Sequence, residues 1–470
     1  MDQRLPKLTR AEMVSESKQQ HGVDRISELP DGVLCHILSF LPTIDVVRTA
    51  ILSARWKNIW TSVCNLDFSD QDFPPTWISS DRFVTFVDHA LSLRSSSDIQ
   101  KFRIKQSRVS YFSDEDFSRF EGWICTAIRR NVVDLNLFVG VEDYLELKYK
   151  MPQSLFLSKT LVSLKLFESC FSYVPPTTGC FPSLKFLSAA FVFPDMQSME
   201  NLFSHCPVLE DLTILASLGD QDNLSVNIFT PELKKLSVNL HTYSIEGKDR
   251  LSSCIINAPK LETLYLKMDG LTYYFLEKAH FLAQARLEFN DRCKDNPAFA
   301  DHAIKLLGGI SSVQELLLSV YSFEVCSLPN FNNLTTLELA LQESQYWELL
   351  IEMLKRSPNL ECLELCYDGV TWREEYGDQW NPVNPPELVP TCLSSHLTSI
   401  SIWEFKGQLD EMEVVKYLLQ NGVVLKKMNI FTELHSEGLL YSLDELRKEF
   451  SVFPKGSKDC RVIIEDLRKL

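Results

Sequence analysis

The pattern L-x-x-L-x-L, with apolar substitutions, recurs along most of this 470-residue chain and limits its fold more than any other feature. It stands as Leu161-Leu164-Leu166, Leu184-Leu187-Ala189, Leu209-Leu212-Ile214, Leu233-Leu236-Val238 and Leu261-Leu264-Leu266. It returns as Val313-Leu316-Leu318, Leu334-Leu337-Leu339, Leu360-Leu363-Leu365, Leu397-Ile400-Ile402 and Leu425-Met428-Ile430. Weaker copies are Ile99-Phe102-Ile104 and Val132-Leu135-Leu137. From Leu161 to Leu261 the steps are 23, 25, 24 and 28 residues, in or near the range of leucine-rich units built from one strand and a return. The longer interval from Leu261 to Val313 predicts a degenerate unit near Leu282-Leu287.

The x-L-x-L end of each copy alternates like a strand with one buried face. Between copies, residues 301–307, 344–356 and 411–420 switch to helical spacing, the last with Val414, Val415, Leu418 and Leu419 on one side. Cys206-Pro207, Gly308-Gly309, Ser357-Pro358 and Asn421-Gly422 punctuate the exits. Such a unit cannot bury its apolar face alone, and stacking buries it. The fold class is therefore α/β: a curved parallel sheet with helical returns, a leucine-rich-repeat solenoid. The leucines point inward, so the residues between them face the concave surface. Successive units place Lys165 and Phe167, Asp211 and Thr213, then Lys235, Tyr265, Lys267, Glu338, Glu364 and Trp403 there. Of these Lys165, Phe167, Tyr265, Lys267 and Trp403 are the candidate target-binding residues, with Tyr265 and Trp403 as anchors. The loop 368–386 is the alternative recognition element.

A formal charge of -16 repels phosphate backbones and anionic lipid, so neither nucleic acid nor a membrane surface is an expected partner. No uncharged apolar run approaches the roughly 18 residues that span a bilayer, and the charged N-terminus lacks an apolar leader segment. Thirteen scattered cysteines suit a reducing compartment. Cytoplasm, nucleus or both is the expected location, and the sequons at Asn223 and Asn333 are expected to stay idle.

Residues 23–68 read as three short helices. Pro30 and Asp31 suit a first turn, followed by Leu34, Ile37, Leu38 and Leu41 at helical spacing. Pro42 stops that helix, and Thr43 is placed to cap the next, which carries Val46, Val47 and Ala50. Ser53 is placed to cap a third, with Trp56, Ile59, Trp60 and Val63 as its stripe. So small a unit buries too little surface to stand comfortably alone. The runs Asp24-Arg25-Ile26-Ser27-x-Leu29-Pro30-Asp31, Ile37-Leu38-Ser39-x-Leu41-Pro42-Thr43 and Thr49-x-Ile51-Leu52-Ser53-x-Arg55-Trp56-x-x-x-Trp60 resemble the F-box of plant F-box proteins, as does Leu66-Asp67-Phe68. Ile44 and Ala54 stand where lysine is common, and Cys64 where proline is common.

Residues 386–430, with Val389-Pro390-x-Cys392-Leu393, Phe405-Lys406-Gly407, Glu411-x-Glu413 and Lys416-Tyr417-Leu418-Leu419, resemble the FBD domain. Leu425-Lys426-Lys427-Met428 and the tail with Phe453-Pro454, Ser457 and Cys460-Arg461-Val462 fit it too. The order matches the F-box/FBD/LRR-repeat family. The expected organisation is a disordered tail over 1–22, an F-box over 23–68, repeats over 75–385, and an FBD domain over 386–470 that continues and caps the solenoid.

No phosphate loop is present, Gly308-Gly309 being a lone pair at a helix end. Cys362 and Cys366, four residues apart on a strand, stand about 13 Å from each other, too far to share a zinc. Glu374 and Glu375 read as a solvated pair, and His205-Cys206 as a helix end. Neither a cofactor, a metal nor a catalytic residue is expected. The resemblance implies a non-catalytic receptor that binds a Skp-type adaptor, and through it a cullin, while the repeats capture an unknown target protein for ubiquitin transfer. A scaffold without a role in degradation, or a receptor needing a small molecule, are the alternatives. Leu29, Pro30, Ile37, Leu38, Leu41, Val47 and Trp60 are the candidate adaptor-binding residues, and spacing alone does not sort them into surface and core.

Overall fold

The computed structural model describes residues 25–467 except 74–78, 95–97, 110–113, 142–148, 168–170, 173–179, 193–195, 219–223, 243–250, 270, 278, 291–292, 294–296, 321–327, 342–345, 368–387 and 433–441. The expected tail 1–22, Asp24, Asn223, and the whole loop 368–386 with Glu374 and Glu375, lie outside the described residues.

Among the described residues one sheet of fifteen parallel strands runs the length of the chain, its strands in sequence order. The first six are Asn65–Ser69, Lys101–Val109, Asp134–Val141, Ser163–Phe167, Phe186–Val192 and Asp211–Leu218. Lys235–Thr242, Thr263–Met268, Gln284–Phe289, Glu315–Val320, Thr336–Leu341 and Cys362–Tyr367 follow. Ser399–Trp403, Lys427–Thr432 and Arg461–Asp466 complete it. The motif leucines account for this order. Leu164, Leu187, Leu212, Leu236 and Leu264 are all buried and pair in register across successive strands, as do Leu337, Leu363, Ile400 and Met428 further on. The degenerate unit is the strand Gln284–Phe289, with Leu282 and Leu287 buried.

A second layer closes the core on one side. It holds the helices Ser79–Ser92, Asp114–Arg129 and Met196–Ser204 early, and Pro297–Gly309, Tyr346–Arg356, Leu409–Asn421 and Leu443–Val452 late. Between the two groups the returns are strands, Ser225–Phe229, Ser252–Asn257 and Thr272–Glu277, joined in a parallel three-stranded sheet. Helical returns are thus only part of the layer. Val226, Ile228, Cys254, Ile256 and Tyr274 alternate inward at period two and are rich in β-branched and aromatic side chains, which favours strand over helix.

A single apolar cluster runs from Leu66 to Ile464 between the two layers. The strands Ser399–Trp403, Lys427–Thr432 and Arg461–Asp466 extend the same ladder. The helix Leu409–Asn421 opens on a capping box, in which Glu411 Oε2 accepts from the backbone N–H groups of Lys406 and Gln408. Gly407 makes the preceding turn at φ 77°, in the left-handed region that a side chain disfavours.

Candidate functional site

The N-terminal module is Asp31–Leu38, Thr43–Arg48 and Trp56–Ile59, with 3₁₀ turns at Thr49–Ile51 and Trp60–Ser62. Leu34, Leu38, Val46, Trp56, Ile59, Trp60 and Val63 form a small core separate from that of the repeats. This sorts the candidate adaptor residues. Leu38 and Trp60 are interior, so they support a surface from beneath and do not form it, a correction to their expected role. Pro30, Ile37 and Leu41 are exposed, while Leu29 and Val47 are half-buried. Sequence spacing overlooked Val33, Phe40, Ile51 and Leu52, which lie off the helical stripe; Phe40 is 76% and Ile51 88% exposed. A module this small that leaves so many large apolar side chains in water has the composition of an interface. Arg55 ties down the entry segment. Its guanidinium donates to Asp31 Oδ1 and to the carbonyls of Ser27 and Leu29, while Trp56 Nε1 donates to Ser27 Oγ at 3.0 Å.

Thr43 does not cap its helix; Pro42 precedes the first turn without a side-chain cap. The Thr43 hydroxyl, fully buried, accepts instead from the N–H of Asp67 on the first strand of the sheet, at 2.8 Å. Asn65 Nδ2 donates to the Ser39 carbonyl at 3.3 Å. Arg94, buried below the helix Ser79–Ser92, donates to the Val63 carbonyl at 2.6 Å. Burial lowers the Arg94 pKa to about 10, leaving it charged at neutral pH. The module is therefore joined to the first repeat by three hydrogen bonds, and Cys64 alone separates Val63 from the first strand.

The second surface is the sheet face turned away from the return layer. Lys165, Phe167, Tyr265, Lys267 and Trp403 all lie on it, as do Asp211, Thr213, Lys235, Glu338 and Glu364. They differ in how free they are. Tyr265 is half-buried; its hydroxyl donates to Glu288 Oε2 at 2.9 Å, and the Arg286 guanidinium stands 5.2 Å over its ring. Burial, together with that carboxylate, pushes the Tyr265 pKa up to about 12. Trp403 stacks on Phe431 at 4.0 Å and donates from Nε1 to Glu364 Oε2 at 3.2 Å. Both rings are thus engaged within the chain. Glu338 and Glu364 are direct partners on neighbouring strands, and burial followed by the Glu364 charge raises the Glu338 carboxyl. Lys165 and Phe167 are exposed.

Among the described residues no three side chains of His, Cys, Asp or Glu are grouped to hold a metal, and no helix is long and apolar enough to cross a membrane. The described cysteines are free thiols, and burial pushes Cys206 and Cys254 up to about 12, so both stay protonated at neutral pH.

A helical module spliced onto the edge of a leucine-rich-repeat sheet defines a modular repeat protein with two separate surfaces. Three family models match this chain: the F-box domain over residues 26–68, the FBD over 384–430, and the leucine-rich repeats of the FBD-associated F-box protein At5g56370 over 120–278. The chain is similar to the F-box/FBD/LRR-repeat protein At2g26030 of Arabidopsis thaliana, 32% identical over 463 residues, covering 94% of this chain and 99% of that one. The FBD-associated F-box protein At5g27750 of the same plant is 33% identical over 487 residues, covering 95% and 99%. The chain belongs to the F-box/FBD/LRR-repeat family.

Proposed function

We propose that this protein is the substrate-receptor subunit of a Skp-cullin-F-box type ubiquitin ligase, acting in the cytoplasm, the nucleus or both. The F-box binds a Skp-type adaptor, and through it a cullin, while the open face of the sheet captures a target protein. The receptor contributes no catalytic group; it accelerates transfer by holding the target near the subunits that carry the chemistry. The observation that carries this reading is the exposed apolar set Ile37, Phe40, Leu41, Ile51 and Leu52 on a module that is hydrogen-bonded to the first strand of the repeat array. Recombinant full-length chain mixed with a Skp-type adaptor should co-elute as a stable complex. Phe40→Asp and Ile51→Asp together should abolish co-elution, and a wild-type chain that never retains the adaptor would sink the reading.

A further inference from the structure

Three neighbouring strands of the main sheet, Ser163–Phe167, Phe186–Val192 and Asp211–Leu218, each place one large apolar side chain on the open face. Phe167 is 37%, Phe186 46% and Leu215 41% exposed. Among the described residues no other strand of that sheet leaves a large apolar side chain as exposed. Phe167 and Leu215 stand at one level of the sheet with the buried Ala190 between them, and Phe186 lies four residues earlier on its strand, in register with Ser163 and Asp211. The contrast with the rest of the face is chemical. Tyr265 and Trp403 already have a carboxylate each, and Trp403 a ring to stack on, whereas these three side chains meet water.

The charge around the patch has a definite sign. From the strand Asn65–Ser69 to Lys235–Thr242, the open face carries Lys101, Arg103, Lys105, Lys165 and Lys235 against Asp67, Asp134 and Asp211, with Arg103 paired to Asp67 at 3.2 Å. Lys165 and Lys235 flank the patch and make no ion pair among the described residues, though both draw on the Asp211 carboxyl. Further along, to the strand Cys362–Tyr367, Glu288, Glu315, Glu338 and Glu364 outnumber Lys267 and Arg286, so the same face turns acidic. A cationic, apolar patch on a chain of net charge -16 is a local exception to the whole surface. Such a patch attracts and orients a partner of opposite charge, and its apolar centre supplies affinity.

Building on the reading of the open face as the capture surface, we propose that Phe167, Phe186 and Leu215 are the docking site for the target, which presents bulky apolar side chains flanked by Asp or Glu. The test selects random displayed peptides on the full-length protein, comparing wild type, Phe167→Ser with Phe186→Ser, and Lys165→Glu with Lys235→Glu. All four positions are on the sheet surface, and melting temperatures close to wild type check that each variant is folded. Wild type should enrich peptides that combine acidic with aromatic or aliphatic residues. The serine pair should lower that enrichment about tenfold, as loss of two anchoring rings does, and the glutamate pair should shift the preference to basic peptides. Selection of basic or uncharged peptides by wild type, no enrichment, or unchanged selection by the serine pair would each overturn the assignment. So would a dimer in light scattering that the serine pair dissociates, because the patch would then belong to a second copy. Acidic-peptide selection by a chain that fails to retain the adaptor would uphold this docking site while removing the ubiquitin-ligase reading.

Discussion

The hydroxyl of Thr43 accepts the N–H of Asp67 at 2.8 Å, and through it an F-box helix takes the place of a neighbouring strand at the edge of the repeat sheet. Replacing Thr43 by Val keeps the volume but leaves the Asp67 amide without its buried acceptor. The cost is about 1–2 kcal/mol. Thr43→Val should melt below wild type, with faster hydrogen exchange at Asp67 and at its neighbours on the Asn65–Ser69 strand. An unchanged exchange rate at Asp67 would show that this bond does not hold the junction.

The F-box sorts into core and surface, and substitutions should follow that division. Leu34→Ala, at a fully buried position, should cost about 2–5 kcal/mol and melt the module. Phe40→Asp alone should leave circular dichroism and melting unchanged while weakening adaptor binding by about tenfold or more. Equal adaptor binding by wild type and Phe40→Asp would place the adaptor on a different side of the module.

Residues beyond 387 pack on the preceding repeat. Trp347 meets the Tyr417 ring edge-to-face at 5.0 Å, and Cys392 Sγ donates to the Leu354 carbonyl at 3.3 Å. A chain ending at residue 385 strips that cover from the helix Tyr346–Arg356 and the strand Cys362–Tyr367. Terminal units of a solenoid shield its core. The shortened chain should show a large fall in melting temperature and bind a hydrophobic dye; a melting curve like that of the whole protein would argue for two independent units.

Glu210 accepts from Lys185 Nζ at 2.8 Å and Lys234 Nζ at 2.9 Å, bridging the units on either side. Those hydrogen bonds hold its pKa down to about 2, from an ordinary 4.5. Because the folded value is depressed, the stabilisation is complete above 4.5 and fades as pH falls toward 2. Glu210→Gln should therefore melt slightly below wild type at neutral pH, with the gap closing across that acid range. The pair is partly exposed, so the gap should also shrink in salt. A gap that stays constant into acid would mean that the lysines do not stabilise the carboxylate.

Much of this architecture is written in leucine spacing. Leu161, Leu164 and Leu166 fix a strand and its buried face with no further information, and even the irregular Leu282-Leu287 copy marks a real strand. The strand returns Ser225–Phe229 and Ser252–Asn257 leave a weaker signal, because Val226 and Ile228 or Cys254 and Ile256 are too short a run of alternation to stand out beside the stronger motif. Phe40 and Ile51 fall outside the stripe that identifies a helix face, so their exposure emerges only once the module's core is assembled. Alternation places Tyr265 and Trp403 on the open face but says nothing of what lies on the neighbouring strand. Their carboxylate partners, Glu288 and Glu364, are 23 and 39 residues away in the chain. Thr43 shows the same limit: a residue suited to capping by its local position is used by a strand 24 residues on.

The strand Arg461–Asp466 pairs on one side only, with Lys427–Thr432, among the described residues. An open edge of this kind is a template on which another chain can add a strand. Here Arg461, Glu465 and Asp466 set charges of both signs along it, with Arg461 and Glu465 exposed. Without it the edge would be Lys-Met-Asn-Ile-Phe-Thr, which carries one charge and two large apolar residues in its second half. Charges of both signs along an edge strand disfavour pairing with another chain, an effect on solubility separate from the strand's share in stability.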